Sequence, residues 1–140
     1  YFSALGENDD AYISARAIQF FVPGIPQVYY VGLLAGSNDI ELLERTDHGR
    51  DINRHYYSIE EFERELSRNV VQRLFQLMKF RNRYPAFNGT FTLLSSDIHE
   101  LHMKWEYEDL YCIAKIDLQT YTVEVEYVDE STKGSVVRGF

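Results

Sequence analysis

The side chains best able to hold a metal ion lie together in one short segment of the sequence. They are Asp47, His48, Asp51 and His55. Imidazole nitrogens and carboxylate oxygens ligate zinc or harder divalent cations, so a metal site is one interpretation. The spacing of these residues matches no standard metal motif, and chance matches are common. The segment is therefore interpreted as a polar loop, and the sequence predicts neither a metal nor any other cofactor.

Arg50, flanked by Gly49 and Asp51 in the same segment, is suited to a different task. A guanidinium presents several N–H donors in a rigid plane, which suits the hydroxyl groups of a sugar. In barrels of alternating strands and helices, the loops that follow strands build the active site. The alternative is a structural ion pair with Asp47, Asp51 or Glu44. Spacing alone favours that alternative, because structural arginines are common.

Other arrangements that could support catalysis are weaker. Closely spaced pairs of acidic residues occur on a predicted surface helix and on the solvent side of a predicted strand, where carboxylates are usually solvated. They are Glu60 and Glu61, Glu63 and Glu65, and Glu124 and Glu126. The only cysteine, Cys112, lies in an apolar run and is interpreted as a small buried hydrophobic residue. The glycines fit no phosphate-binding or dinucleotide-binding motif, so the residues alone identify no catalytic group.

The elements that position these residues follow from the spacing of apolar side chains. Asn8 can cap a helix that runs from Asp9 to Phe21, where apolar residues recur at helical spacing. Pro23 and Gly24 end this helix. The β-branched and aromatic run from Gln27 to Val31 then predicts a strand buried on both faces. A helix, a tight turn and a buried strand form one αβ unit, which is typical of α/β proteins.

A long connection follows, from Gly32 to about Tyr57, with one helical turn predicted from Ile40 to Glu44. Connections of this length in compact domains are often functional. Ser58 and Glu61 then have the spacing of a capping box, which predicts a helix that runs to about Ser67. A second helix with an apolar face follows, with arginines in its last turns, and a proline ends it. Its residues are Val70, Val71, Leu74, Phe75, Leu77, Met78, Arg81 and Arg83, with Pro85 at its end.

From Thr90 the apolar residues alternate with polar ones, which predicts an antiparallel meander with one buried face. The predicted faces are Leu101, Met103, Trp105 and Tyr107; Cys112, Ala114, Ile116 and Leu118; and Tyr121, Val123, Val125 and Tyr127. The predicted fold class is therefore α/β followed by all-β. The predicted domains are residues 1–87 and residues 88–140, with the boundary near Phe87 to Gly89.

Composition limits the kinds of partner. The chain has 140 residues, of which 45% are hydrophobic, so it can bury a core. It carries 22 acidic and 14 basic residues, a formal net charge of -8. An acidic surface repels phosphate backbones and anionic lipids, so neither nucleic acid nor a membrane is an expected partner. No apolar run approaches the roughly 20 residues that span a bilayer. One cysteine and no visible signal peptide favour a cytoplasmic location.

Longer segments are more specific than these short patterns. The sequence from Phe21 to Tyr30, FVPGIPQVYY, resembles the last barrel strand of the α-amylase superfamily. The sequences from Tyr29 to Asp39, YYVGLLAGSND, and from Gly49 to Tyr57, GRDINRHYY, resemble sucrose phosphorylases. Further matching segments are Tyr1 to Gly6, Lys79 to Asn82 and Phe87 to Phe91. The resemblance covers about Tyr1 to Phe91 strongly, and the rest of the chain matches only as a small β-domain.

The resemblance implies the last αβ units of a (β/α)8 TIM barrel, followed by a C-terminal antiparallel domain. Members of the family convert sucrose and inorganic phosphate into α-glucose 1-phosphate and fructose, by double displacement with retained configuration. In the family the nucleophile, the acid/base and the stabilising aspartate lie on earlier strands, upstream of Tyr1. The chain is therefore interpreted as a C-terminal fragment that holds no catalytic residue and is inactive alone. By motif match, Arg50 would contact the donor glucose together with an upstream aspartate.

Alternatives remain open at this point. A sibling phosphorylase that acts on sucrose 6-phosphate, glucosylglycerol or glucosylglycerate fits the same residues, because the loops that distinguish them lie upstream. A hydrolase of the superfamily fits less well. A non-catalytic structural module built on the β-domain is the interpretation from another class, with Tyr1 to Tyr57 poorly folded alone. Assembly of the protein as a homodimer is a further open alternative.

Overall fold

The structure is a computed structural model that describes residues 1–129, 131 and 133–140. Its first α-helix, α1, runs from Asp9 to Phe21, and the side chain of Asn8 caps it by accepting a hydrogen bond from the Ala11 N–H at 2.8 Å. Asp9 and Asp10 occupy the first turn, where negative charge is favourable. The predicted helix and its cap are therefore confirmed.

The predicted strand from Gln27 to Val31 is wrong. Residues 25–29 form no regular element, and a short helix, α2, runs from Tyr30 to Leu33. Tyr29 is 53% exposed and Tyr30 is 38% exposed, whereas the sequence predicts a strand buried on both faces here. A strand must find partners for its N–H and C=O groups on neighbouring strands, and no described strand pairs with this segment. Apolar residues alone do not separate a short strand from a short helix.

Helix α1 fixes the position of α2 through buried polar groups. The Tyr12 hydroxyl donates to the carbonyl oxygen of Gly32, and Arg16 donates to that hydroxyl through Nε at 3.0 Å and Nη2 at 2.8 Å. Arg16 is 6% exposed, and its guanidinium lies 4.4 Å from the ring centre of Tyr1. The buried cation is therefore hydrogen-bonded and stacked, as buried charges require.

The long connection contains more helix than the sequence indicated. Helix α3 runs from Ile40 to Thr46, two residues beyond the predicted turn, and a 3-10 helix runs from Gly49 to Asn53. Helix α4 runs from Ile59 to Leu66 and begins with the predicted capping box. Helix α5 runs from Asn69 to Arg83 and a 3-10 turn from Pro85 to Asn88 follows it.

The C-terminal part is one five-stranded antiparallel sheet in which the strands neighbour one another in sequence order. The strands are β1 (Thr90–Leu94), β2 (Glu100–Tyr107), β3 (Leu110–Asp117), β4 (Val123–Val128) and β5 (Ser135–Gly139). The predicted meander is therefore confirmed, and β5 is a strand that the sequence did not predict.

One face of this sheet is buried under α1 and α5. The buried face holds Met103, Trp105, Cys112, Ala114, Ile116, Val123 and Val125. Three residues predicted for that face are instead about two-fifths exposed, because they lie where strands end in turns: Tyr107, Leu118 and Tyr121. Burial raises the pKa of the Cys112 thiol to about 12, so this cysteine is a packing residue and not a nucleophile at neutral pH.

Helices and sheet share one hydrophobic core. Trp105 of β2 donates its indole N–H to the carbonyl oxygen of Phe21 at 2.6 Å, which joins the end of α1 to the sheet. The hydroxyl of Tyr84, just after α5, shares its proton between the carbonyl oxygens of Tyr111 and Val128, which lie 3.0 and 2.8 Å away. The division into residues 1–87 and 88–140 stays a prediction. Within the described ranges, no helix is both long and apolar enough to cross a membrane.

Candidate substrate-binding site

Residues 36–57 form a closed loop that carries Arg50, and we call this segment the Arg50 loop. Two contacts join its two sides. The Asp39 N–H donates to the carbonyl oxygen of Ile52 at 2.7 Å, and Asp39 Oδ2 lies 2.6 Å from His55 Nδ1. Asp39 Oδ1 also accepts from the Leu42 N–H at 2.8 Å and caps α3. One aspartate therefore holds both the start of the loop's helix and the segment that follows Arg50.

His55 connects the Arg50 loop to its surroundings. Its Nε2 lies 3.9 Å from a carboxylate oxygen of Glu61 on α4, and its ring packs edge-on against Tyr57 with 4.6 Å between centres. The carbonyl oxygen of His55 accepts a hydrogen bond from the Tyr30 hydroxyl at 2.9 Å. The loop is thus fastened to α2 and α4, which limits how far the 3-10 helix that carries Arg50 can move.

Arg50 lies within the 3-10 helix from Gly49 to Asn53, and its side chain is 68% exposed. Its nearest charged partner is Asp51, with 3.8 Å between Nε and Oδ1. An exposed pair at this distance contributes little to stability. In the described part of the chain, the Arg50 guanidinium forms no ion pair with Asp47 or Glu44, the other two alternatives from the sequence. Most of its N–H donors therefore face outward and are available to a ligand.

The four residues considered for a metal site do not come together as ligands. His55 instead contacts Asp39, a residue that the sequence analysis did not connect with it. Across residues 1–129, 131 and 133–140, no group of three or more histidine, cysteine, aspartate or glutamate side chains is arranged to hold a metal ion. The only sequence signal for Asp39 was its position before a short helix, where aspartate is a favoured cap.

Hydrogen bonds and burial set the ionisation of the groups around the loop. The bond from His55, followed by that from the Leu42 N–H, lowers the pKa of Asp39 below its ordinary value of 3.8. The Ser58 N–H lowers the pKa of Glu61 in the capping box. Burial, with a smaller effect of the Glu65 charge, raises the pKa of Tyr57 to about 12. At neutral pH the fastening residues are therefore carboxylates and an un-ionised phenol.

Replacing Asp39 with asparagine tests this fastening. The substitution keeps an oxygen that can cap α3 but removes the negative charge beside His55. A lowered pKa means that the folded state binds the proton less tightly than the unfolded state. The carboxylate therefore stabilises the fold above pH 3.8, and this stabilisation is lost as the pH falls through the lower folded value. We expect Asp39→Asn to lower the Tm by a few degrees at pH 7.

At pH 3 the difference in Tm between Asp39→Asn and the unsubstituted protein should shrink. Asp97→Asn is the matched control, since Asp97 is an exposed carboxylate outside the loop, and it should change the Tm little at either pH. An Asp39→Asn effect of equal size at both pH values would show that the charge beside His55 is not the stabilising feature.

Similarity to known proteins identifies the class of protein to which this chain belongs. Comparison with models of protein families gives no match. A glucosylglycerol phosphorylase of Marinobacter adhaerens is 58% identical over 132 residues, which is 94% of this chain and 28% of that protein. A sucrose phosphorylase of Bifidobacterium adolescentis is 57% identical over 108 residues, which is 77% of this chain and 21% of that protein.

The crystal structure of sucrose 6F-phosphate phosphorylase from Thermoanaerobacter thermosaccharolyticum is similar over the whole of this chain. Its TM-score is 0.97 at 50% sequence identity, and the similarity covers 28% of that protein. The three relatives are phosphorylases by name. The solved structure shares this arrangement of helices followed by an antiparallel sheet. The chain belongs to the family of sucrose phosphorylase and its relatives, and the predicted fold class and resemblance are confirmed. The matched part spans between 21% and 28% of the length of these relatives.

Proposed function

We propose that the protein containing this chain is a retaining phosphorylase that transfers glucose from an α-glucoside to inorganic phosphate. The observation that carries the proposal is the 58% identity to a phosphorylase over 94% of the chain. The sucrose phosphorylase at 57% identity makes sucrose the first donor to test, with α-glucose 1-phosphate and fructose as products. Inorganic phosphate as co-substrate fits a cytoplasmic location, and a homodimer stays a prediction.

The proposed reaction proceeds in two displacements. An enzyme carboxylate attacks the anomeric carbon while a carboxylic acid protonates the leaving oxygen, so the glycosidic bond breaks and a glucosyl ester forms. A phosphate oxygen then attacks the same carbon from the opposite side and releases the carboxylate. Two inversions retain the configuration, and the two carboxyl groups must lie about 5 Å apart. We place both carboxylates outside this chain, so the 140 residues alone are expected to show no turnover.

Arg50 has the proposed role of holding the donor glucose. Its guanidinium is exposed, lies on a loop fastened by Asp39 and His55, and has donors that no carboxylate of the described chain fully occupies. Several hydrogen bonds from one rigid plane fix the orientation of a sugar ring before attack. Fixed orientation lowers the entropic part of the barrier. A second aspartate from elsewhere in the protein would complete the contact to the glucose, as the family resemblance implies.

The identity of the donor glucoside, and so of the group that glucose leaves, is the part of the proposal that this chain determines least. The relatives are named for sucrose, sucrose 6-phosphate and glucosylglycerol, and their identities of 57%, 53% and 58% do not separate them. The test is a comparison of kcat/KM for phosphate-dependent cleavage of sucrose, sucrose 6-phosphate, glucosylglycerol and glucosylglycerate by the whole protein. One donor should exceed the others by roughly tenfold or more, since loss of one buried hydrogen bond has about that effect. If none of these donors is cleaved, the structural-module interpretation replaces this proposal.

A further inference from the structure

A second cavity, with a volume of about 490 Å³, lies between α5 and the end of the sheet and shares no residue with the Arg50 loop. Its lining combines basic, aromatic and acidic side chains. The residues used below are Lys79, Phe80, Arg83, Tyr127, Asp129 and Arg138. A volume in this range suits a small organic ligand, since such sites usually measure about 300–1,000 Å³. We call this cavity the α5 groove.

The cations of the α5 groove are available to an anion. Lys79 and Arg83 are one helical turn apart on α5 and are exposed, and their side chains form no ion pair or hydrogen bond within the described ranges. Arg138 is held in place, because it donates to Gln76 Oε1 at 2.8 Å and lies 4.8 Å from the ring centre of Phe140. The chain has 22 acidic and only 14 basic residues, so unpaired cations grouped at one cavity are unusual for its composition. Convergent Lys and Arg donors bind phosphate groups strongly.

The remaining lining of the groove favours a ring with hydroxyl groups. Phe80 stacks on Tyr84 with 5.0 Å between ring centres, and Tyr127 meets Phe80 edge-on at 5.1 Å, so the groove has a packed aromatic floor. Asp129 lies in the same lining, where its Oδ1 accepts a hydrogen bond from the Ser131 N–H at 2.9 Å, and its negative charge would repel a ligand that is anionic throughout. We propose that the α5 groove binds the phosphate ester of a sugar, with the phosphate at Lys79 and Arg83 and the ring on Tyr127.

The experiment measures binding rather than turnover, so its outcome is independent of the proposed reaction. Glucose 6-phosphate, inorganic phosphate and glucose are each titrated into the whole protein by calorimetry. The groove variant is the double substitution Lys79→Gln and Arg83→Gln, which removes two charges while keeping residues that favour a helix. The control is Arg45→Gln with Arg64→Gln, which removes two exposed cations from α3 and α4. Arg50→Ala reports on the candidate substrate-binding site.

We expect glucose 6-phosphate to bind with a Kd roughly tenfold or more below that of inorganic phosphate or of glucose, since both parts of the ligand contribute contacts. The groove variant should raise this Kd by about tenfold or more with an unchanged Tm, whereas the control and Arg50→Ala should leave it within about twofold. The proposal is overturned if the groove variant binds glucose 6-phosphate as tightly as the unsubstituted protein. It is also overturned if inorganic phosphate binds equally well and the groove variant weakens that binding to the same extent, because the groove would then be a simple anion site, or if Arg50→Ala alone removes binding.

Discussion

Replacing Arg50 with alanine is expected to lower kcat/KM for the preferred glucoside by about 100-fold or more, because several charge-assisted hydrogen bonds to the glucose ring are lost. The same substitution should leave the Tm unchanged. The Arg50 side chain is 68% exposed, and its only ion pair with a described residue, Asp51, spans 3.8 Å. Activity and stability therefore separate at this residue, and steady-state kinetics with a thermal melt measures both.

Two further variants define what Arg50 contributes. Arg50→Lys keeps the charge but replaces the planar fork with a single ammonium, so it should recover only part of the lost kcat/KM. Arg45→Ala removes a neighbouring exposed cation on α3 and should leave kcat/KM within about twofold, because it tests charge alone. An Arg50→Ala protein that keeps kcat/KM close to that of the unsubstituted protein would reduce this arginine to a structural residue.

Replacing Gly89 with alanine is expected to destabilise the fold by about 3 kcal/mol or more. Gly89 joins the 3-10 turn after α5 to strand β1. A Cβ atom there would overlap the carbonyl oxygen of Glu106 and would lie 2.7 Å from its carbonyl carbon and 2.8 Å from Tyr107 Cβ. Glu106 pairs with Thr90 in the β1–β2 ladder, so its backbone cannot move aside without breaking the sheet.

Gly139→Ala is the matched control for Gly89→Ala. A Cβ at Gly139 meets no atom within 4 Å, and a glycine within a strand has a higher conformational entropy cost than an alanine. Urea denaturation should therefore give an unchanged or slightly higher free energy of unfolding for Gly139→Ala. Similar free energies for the two variants would show that the close approach of Gly89 to β2 does not limit what this position accepts.

The features that the sequence predicted correctly depend on local signals. Asn8 caps α1 through a bond to a residue three positions away, and the capping box of Ser58 and Glu61 spans the same distance. The burial of Met103 and Trp105 follows from a two-residue period and needs no knowledge of what covers them. Each of these patterns predicts a structure from residues that lie within one helical turn or one strand.

The features that the sequence missed depend on distant partners. Gln27 to Val31 has the composition of a buried strand, yet a ladder needs a neighbouring strand that the described chain does not provide. The sequence did not predict strand β5, because Val136 and Val137 are consecutive apolar residues and do not alternate with polar ones. Both are exposed in the structure. The contact between Asp39 and His55 joins residues 16 positions apart. The proposed role of Arg50 came from the family resemblance, since its spacing alone favoured an ion pair.

The measurement that tests the central claim most directly follows both possible products when the whole protein is given its preferred glucoside and inorganic phosphate. Phosphate NMR detects glucose 1-phosphate and the configuration at its anomeric carbon, and an enzymatic assay detects free glucose. A retaining phosphorylase should produce α-glucose 1-phosphate in amounts that match the phosphate consumed, with little free glucose. Release of free glucose without consumption of phosphate would contradict the account and identify the protein as a hydrolase.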